Sequence, residues 1–209
     1  MSDAQRRMIQ KIVAILAIVA LLGALVLAFL DDATHKPVAI NGDILGSVTD
    51  ESFEDYRERA AESLAEAPAT EPAYALVTFT EPLEPAAAAA LLEPIDRVNA
   101  MVIALAAPFA LPEPVAGETR EDVFNRELDR IAASMVGIGD VASPTRIDAV
   151  VVRDTGDALR SLAASEEIAV VEVLPPDASW GRFGVRPVEI PGDASVEIPG
   201  EAPAADPGI

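Results

Sequence analysis

The chain holds one histidine, His35, and no cysteine. The side chains that most often serve as bases, nucleophiles and metal ligands near neutral pH are therefore almost missing. A lone imidazole beside Lys36, in a linker, reads as a solvated side chain rather than a general base. Zinc, haem and thiol chemistry lack their usual ligand sets. Serines and threonines occur, but without a histidine or an evident activating lysine. Carboxylates are plentiful, at 35 Asp and Glu, so calcium binding and paired-acid hydrolysis need weighing. Asp140 after Gly139 does not supply the alternating oxygen ligands around a glycine that a calcium loop requires. Glu166-Glu167 and Asp31-Asp32 are adjacent pairs, where solvated charge is the ordinary state. A glycosidase cleft is usually lined with aromatic rings, and aromatics make up 4% of this chain. The expectation is a protein that is not an enzyme, with no cofactor, no metal and no small-molecule ligand evident.

What remains is binding, and three sets of residues are candidates. Ala20, Gly23, Ala24 and Ala28 form a small-residue row that permits close helix approach; in a chain this rich in alanine, composition alone explains it equally well. Phe109 and Leu111 stand in a proline-rich loop that either presents them or tucks them against its own domain. Trp180, Arg182, Phe183 and Arg186 make the most aromatic and basic stretch of the later chain. The plainer reading of that stretch is an extra edge strand or a lid, because Trp and Phe usually bury themselves.

The elements that would position these residues begin with an apolar run. Residues 12–30 (IVAILAIVALLGALVLAFL) carry no charge and would span roughly 28 Å as a helix, close to the hydrocarbon thickness of a bilayer. No polar stripe marks it as a core helix. The flank Phe29-Leu30-Asp31-Asp32 offers no small-x-small cleavage site, so the expectation is an uncleaved single-pass anchor. Arg6, Arg7 and Lys11 precede the run and Asp31 and Asp32 follow it, which predicts a cytoplasmic N-terminus and an extracytoplasmic remainder at the cell membrane. The formal charge of −20 repels phosphate backbones, so nucleic-acid binding is excluded. Without disulfides the exported part must rely on its own core.

The rest divides into a juxtamembrane linker and helix over 31–69, a domain over 70–176 and a Pro/Gly-rich acidic tail over 177–209. Thr49 is placed to cap a helix over 50–67 that carries Phe53, Tyr56, Ala60 and Leu64 on one face. Strands are predicted at 73–80, 97–105, 146–153 and 168–174, bounded by prolines. Helices are predicted at 85–92, 118–136 and 155–164, the second opened by a capping box of Thr119 and Asp122. The order strand-helix-strand, excursion, strand-helix-strand predicts an α+β, ferredoxin-like sandwich, with a four-stranded antiparallel sheet, two helices on one face and an inserted helix. A parallel α/β sheet is the second choice. The strand at 97–105 is apolar on both faces, so something must also cover the second face: the excursion helix, the juxtamembrane helix, the Trp180 segment or another protein. Val188–Gly192 (VEIPG) recurs as Val196–Gly200; Glu189–Ile209 is too acidic and too rich in Pro and Gly to form a core, and a disordered or extended acidic tail is expected there.

Ala158–Ala178 (ALRSLAASEEIAVVEVLPPDA) resembles the closing helix-strand of subtilisin-type propeptides and related protease inhibitors, which implies a ferredoxin-like fold. THKPVAINGDILG, YALVTF and VVEVLPPDASWGRFGV together are similar to single-pass envelope proteins of high-GC, actinobacterial-type bacteria, a resemblance that implies membrane placement and no activity. The resulting expectation is a bitopic protein whose exported domain is an interaction module. It would be an accessory or assembly subunit of a membrane complex, respiratory ones among them, with other membrane or envelope proteins as partners. The alternative is a membrane-anchored protease-inhibitor-like or protease-regulating domain.

Overall fold

The computed structural model describes residues 42–104, 106–136 and 143–191, together with Gln5. The chain forms, in order, β1 (Ile44–Leu45), α1 (Phe53–Glu66), β2 (Pro72–Leu83), α2 (Pro85–Leu91), β3 (Arg97–Val102), β4 (Phe109–Ala110), α3 (Arg120–Met135), β5 (Ile147–Thr155), α4 (Gly156–Ala163), β6 (Ile168–Val173) and β7 (Gly184–Val185). Five strands make one sheet in the order β4-β3-β5-β2-β6 with every pairing antiparallel, and β1 pairs with β7 in a small parallel ribbon.

Local chemistry sets the helix ends. Ser52 caps α1 by accepting from the Asp55 N–H at 3.2 Å, and Thr119 and Asp122 close a reciprocal capping box on α3. Thr49 does not cap α1 as expected; Asp50 next to it takes φ 66, outside the helical region, and the helix starts three residues later. The last turns of α1 and α2 contain no basic residue, and arginines from other helices take that role. Arg160 of α4 donates to the Leu64 and Ala67 carbonyls at 2.9 and 3.0 Å. Arg120 of α3 donates to the Leu92 and Ile95 carbonyls at 2.7 and 3.0 Å. Each satisfies carbonyls that a helix end leaves open and sets a cation at the negative pole of the dipole.

Both faces of the sheet are covered by this chain. On the first, Ala75, Val77, Phe79, Met101, Ile103, Val150, Val152 and Val171 pack with Ala88 and Leu92, with Val123, Phe124 and Leu128 of α3, and with Leu159 and Leu162 of α4. On the second, Leu76, Ala100, Val102, Val151 and Val170 pack with Tyr56 and Ala60 of α1, with Leu45, and with Leu174, Ala178, Phe183 and Val188. The side-chain period of two sends alternate residues of β2, β5 and β6 to opposite layers. In β3 the register shifts between Val98 and Ala100, a bulge that puts Val98 and Met101 on the same side.

Two expectations are corrected here. The four-stranded ferredoxin-like sandwich with helices on one face gives way to a five-stranded sheet plus a two-stranded ribbon. The proline-rich excursion adds β4 as an edge strand, and α1 lies on the second face. The single-pass membrane protein at the cell membrane, with an integral membrane partnership, is not sustained either. Among the described residues no helix is long and apolar enough to cross a membrane. The longest, α3 at 16 residues, rises about 24 Å and carries charges throughout (REDVFNRELDRIAASM). The run at 12–30, with Ala20, Gly23, Ala24 and Ala28, and the linker residue His35 lie outside the described residues.

Candidate functional site

A group of charged and polar side chains joined by hydrogen bonds lies between α1 and β6 on the second sheet face. Helical spacing sets Tyr56, Arg59 and Ser63 along one side of α1. Period two turns Val170 and Glu172 of β6 toward the same layer. The Ser63 hydroxyl accepts from the Val173 N–H at 2.9 Å, which fastens the helix to the outer edge of β6. Glu172 is 3% exposed. Its Oε1 takes a charge-assisted bond from the Arg59 guanidinium, and its Oε2 accepts from the Gly46 N–H and from the Tyr56 hydroxyl at 3.3 Å. Arg59 also spans Glu51, with Nε and Nη2 each 2.9 Å from a carboxylate oxygen, and donates to the Gly46 carbonyl at 3.1 Å. Its guanidinium carbon stands 5.3 Å from the Tyr56 ring centroid.

The electrostatics follow from burial and pairing. Burial is the main reason the Glu172 carboxyl is held above its ordinary value, with the Gly46, Arg59 and Tyr56 donors pulling the other way. Burial, then the neighbouring Glu172, pushes the Tyr56 phenol up, so it stays a neutral donor. The Arg59 bond lowers Glu51, and Glu51 in turn raises Arg59. Glu51, Tyr56, Arg59 and Glu172 each hydrogen-bond to another member of the cluster. The arrangement is that of a latch holding β1, α1 and β6 together, with its donors and acceptors spent internally.

The candidates read from the sequence separate in space. Leu111 is buried in the first-face core and Phe109, on β4, is half-buried against it, so the proline-rich loop is tucked onto its own domain. Arg97 pairs with Glu113 of that loop at 2.8 Å. Phe183 is buried in the second-face core, whereas Trp180 is 42% exposed. The Trp180 ring lies 5.9 Å from Tyr74 and 5.8 Å, edge-on, from Phe183; Tyr74 and Phe183 are 5.2 Å apart. Arg153 stands 5.7 Å over the Tyr74 ring, while Arg182 and Arg186 are exposed. Arg186 is bound through its backbone, whose N–H donates to the Leu45 carbonyl at 2.8 Å.

Gly46, Glu51, Arg59 and Glu172 are not among the candidates the sequence offers, and Tyr56 is expected there only as part of the apolar face of the first helix. One signal was present: Glu172 is the only charge in IAVVEVL, a strand apolar on both sides. Among the described residues no group of three or more His, Cys, Asp or Glu is placed to hold a metal ion. Comparison with protein-family models, with curated proteins and with solved structures returned no match.

Proposed function

We propose that the folded part of this chain is a non-catalytic protein–protein interaction module with Trp180 as its anchor. The observation that carries the reading is the exposure of an indole, 42% open to solvent, inside a three-ring cluster with Tyr74 and Phe183. Packing against two rings, one of them in the core, restrains the indole before any partner arrives, so binding loses little side-chain entropy. Large aromatic anchors of this kind dominate interface energetics. The internal saturation of the Glu172 latch supports the non-catalytic side of the reading, because its groups face each other rather than a cleft.

The surroundings suggest the partner's character. The chain is strongly acidic, yet Trp180 stands in one cluster with Tyr74, which Arg153 covers, and Arg182 follows two residues on. An apolar socket with an acidic rim on another protein would complement that combination. The test is capture of proteins from an extract of the source cells on the full chain, comparing wild type with Trp180→Ala and Trp180→Phe. The reading expects a defined set of proteins to be retained by wild type, lost with Ala and partly kept with Phe. Capture indifferent to Trp180→Ala would overturn it.

A further inference from the structure

We infer that the groove between β1 and the start of α1 is a peptide seat for the sequence V-E-I-P-G, and that Val196–Gly200 is a second ligand for it within the same chain. The described part of the first copy, Val188–Pro191, shows how the seat works. The chain is led in by Gly184, whose N–H donates to the Asp43 carbonyl at 2.9 Å, and by Arg186, bonded to Leu45 at 2.8 Å. Val188 is then 7% exposed in the second-face core, Glu189 points outward, Ile190 is half-buried and Pro191 is exposed. Burial thus alternates along these four residues. Ser47, Glu51 and Phe53 line the groove on the other side of Val188, Glu189 and Pro191. Pro191 has no N–H to satisfy, which suits it to the open rim of such a groove.

All five residues recur eight positions later as Val196–Gly200. Whatever side-chain complementarity the seat has for the first copy it has equally for the second. Eight more residues extend up to roughly 26 Å, ample for the second copy to reach a vacated seat. Within the five residues nothing differs, and the longer loop to be closed favours the first copy several-fold. The seat is therefore a binding site with two competing tethered ligands, separate from the Trp180 surface.

Urea unfolding of the full chain with Val188→Asp, with Val196→Asp and with both tests this. Val196→Asp alone should leave stability unchanged. Val188→Asp alone should lower the folded-to-unfolded ratio several-fold, and the double variant should lower it at least a further tenfold. A synthetic SVEIPGEA peptide should bind the double variant, and the same peptide with Val→Asp should not. Should the Asp variants fail to fold, Val188→Ala with and without Val196→Ala gives the same comparison at smaller amplitude. Equal damage from the Val188 change alone and from the pair would overturn the exchange. A concentration-dependent dimer of Val188→Asp would overturn it too, by assigning the second copy to another chain's seat.

Discussion

Arg59 reaches from α1 to Glu172 on β6, 113 residues further along the chain, and sets a guanidinium against a carboxylate that is 3% exposed. Such a pair adds little net stability over an apolar pair, because desolvation offsets the attraction. Losing one partner is different, since the remaining charge stays buried without compensation. The latch thus specifies where α1 docks more than how tightly.

Arg59→Met should destabilise the fold by about 2 kcal/mol, discounted from a fully buried pair because the Arg side chain is 39% exposed. Adding Glu172→Gln should recover part of that loss, since the uncompensated charge is removed. A double-mutant cycle by urea unfolding measures the coupling. Strict additivity would contradict the pairing.

Stability should also depend on pH through Glu172. Burial first of all raises its carboxyl above 4.5, so the folded state holds the proton more tightly than the unfolded chain. Its contribution is fully present below pH 4.5 and is lost as pH rises through the raised value. Glu51, lowered mainly by Arg59, acts oppositely and loses its contribution as pH falls through the lowered value. Glu172→Gln removes only the first effect. The stability of wild type relative to this variant should therefore decline from about pH 4.5 upward. A difference independent of pH would contradict the assignment.

Gly46 tests the latch from the backbone. It has φ +98, its N–H holds Glu172, and a Cβ there would overlap the Arg186 carbonyl. Gly46→Ala should cost about 2 kcal/mol or more, read as a lower urea midpoint with an unchanged slope.

Thr119→Ala removes one side of the α3 capping box, leaving the Asp122 N–H without its side-chain acceptor. A loss of about 1 kcal/mol is expected, measurable by thermal unfolding. No loss would mean that packing of Phe124 and Leu128 alone sets where α3 begins.

The elements with long apolar patterns were the legible ones. The strands expected at 73–80, 97–105, 146–153 and 168–174 overlap β2, β3, β5 and β6, and the Thr119 capping box is present. The two-residue strands β1, β4 and β7 are too short for any periodicity, and two of them depend on each other across 140 positions, Ile44 with Gly184. Pairing at that distance leaves no local signal. Thr49 and Ser52 are both able to cap α1, and only the left-handed Asp50 and the Ser52–Asp55 bond decide between them. Phe109, Leu111, Trp180 and Phe183 are alike in the sequence as binding candidates, and only packing separates the buried Leu111 and Phe183 and the half-buried Phe109 from the exposed Trp180. The latch needed tertiary contact to appear, since Arg59 looked like one more surface charge on α1.

Trp180 is the only tryptophan in the chain, so its emission reports directly on the proposed interface. The measurement is a titration of the full chain with a protein captured on it, following emission wavelength and acrylamide quenching, alongside the affinity of Trp180→Ala. The account predicts a blue shift, loss of quenching on binding and an affinity at least about 30-fold weaker for Trp180→Ala, the size of a hot-spot truncation, with the unfolding midpoint little changed. An indole whose emission and quenching stay the same when the partner is bound, with Trp180→Ala binding as tightly as wild type, would contradict it.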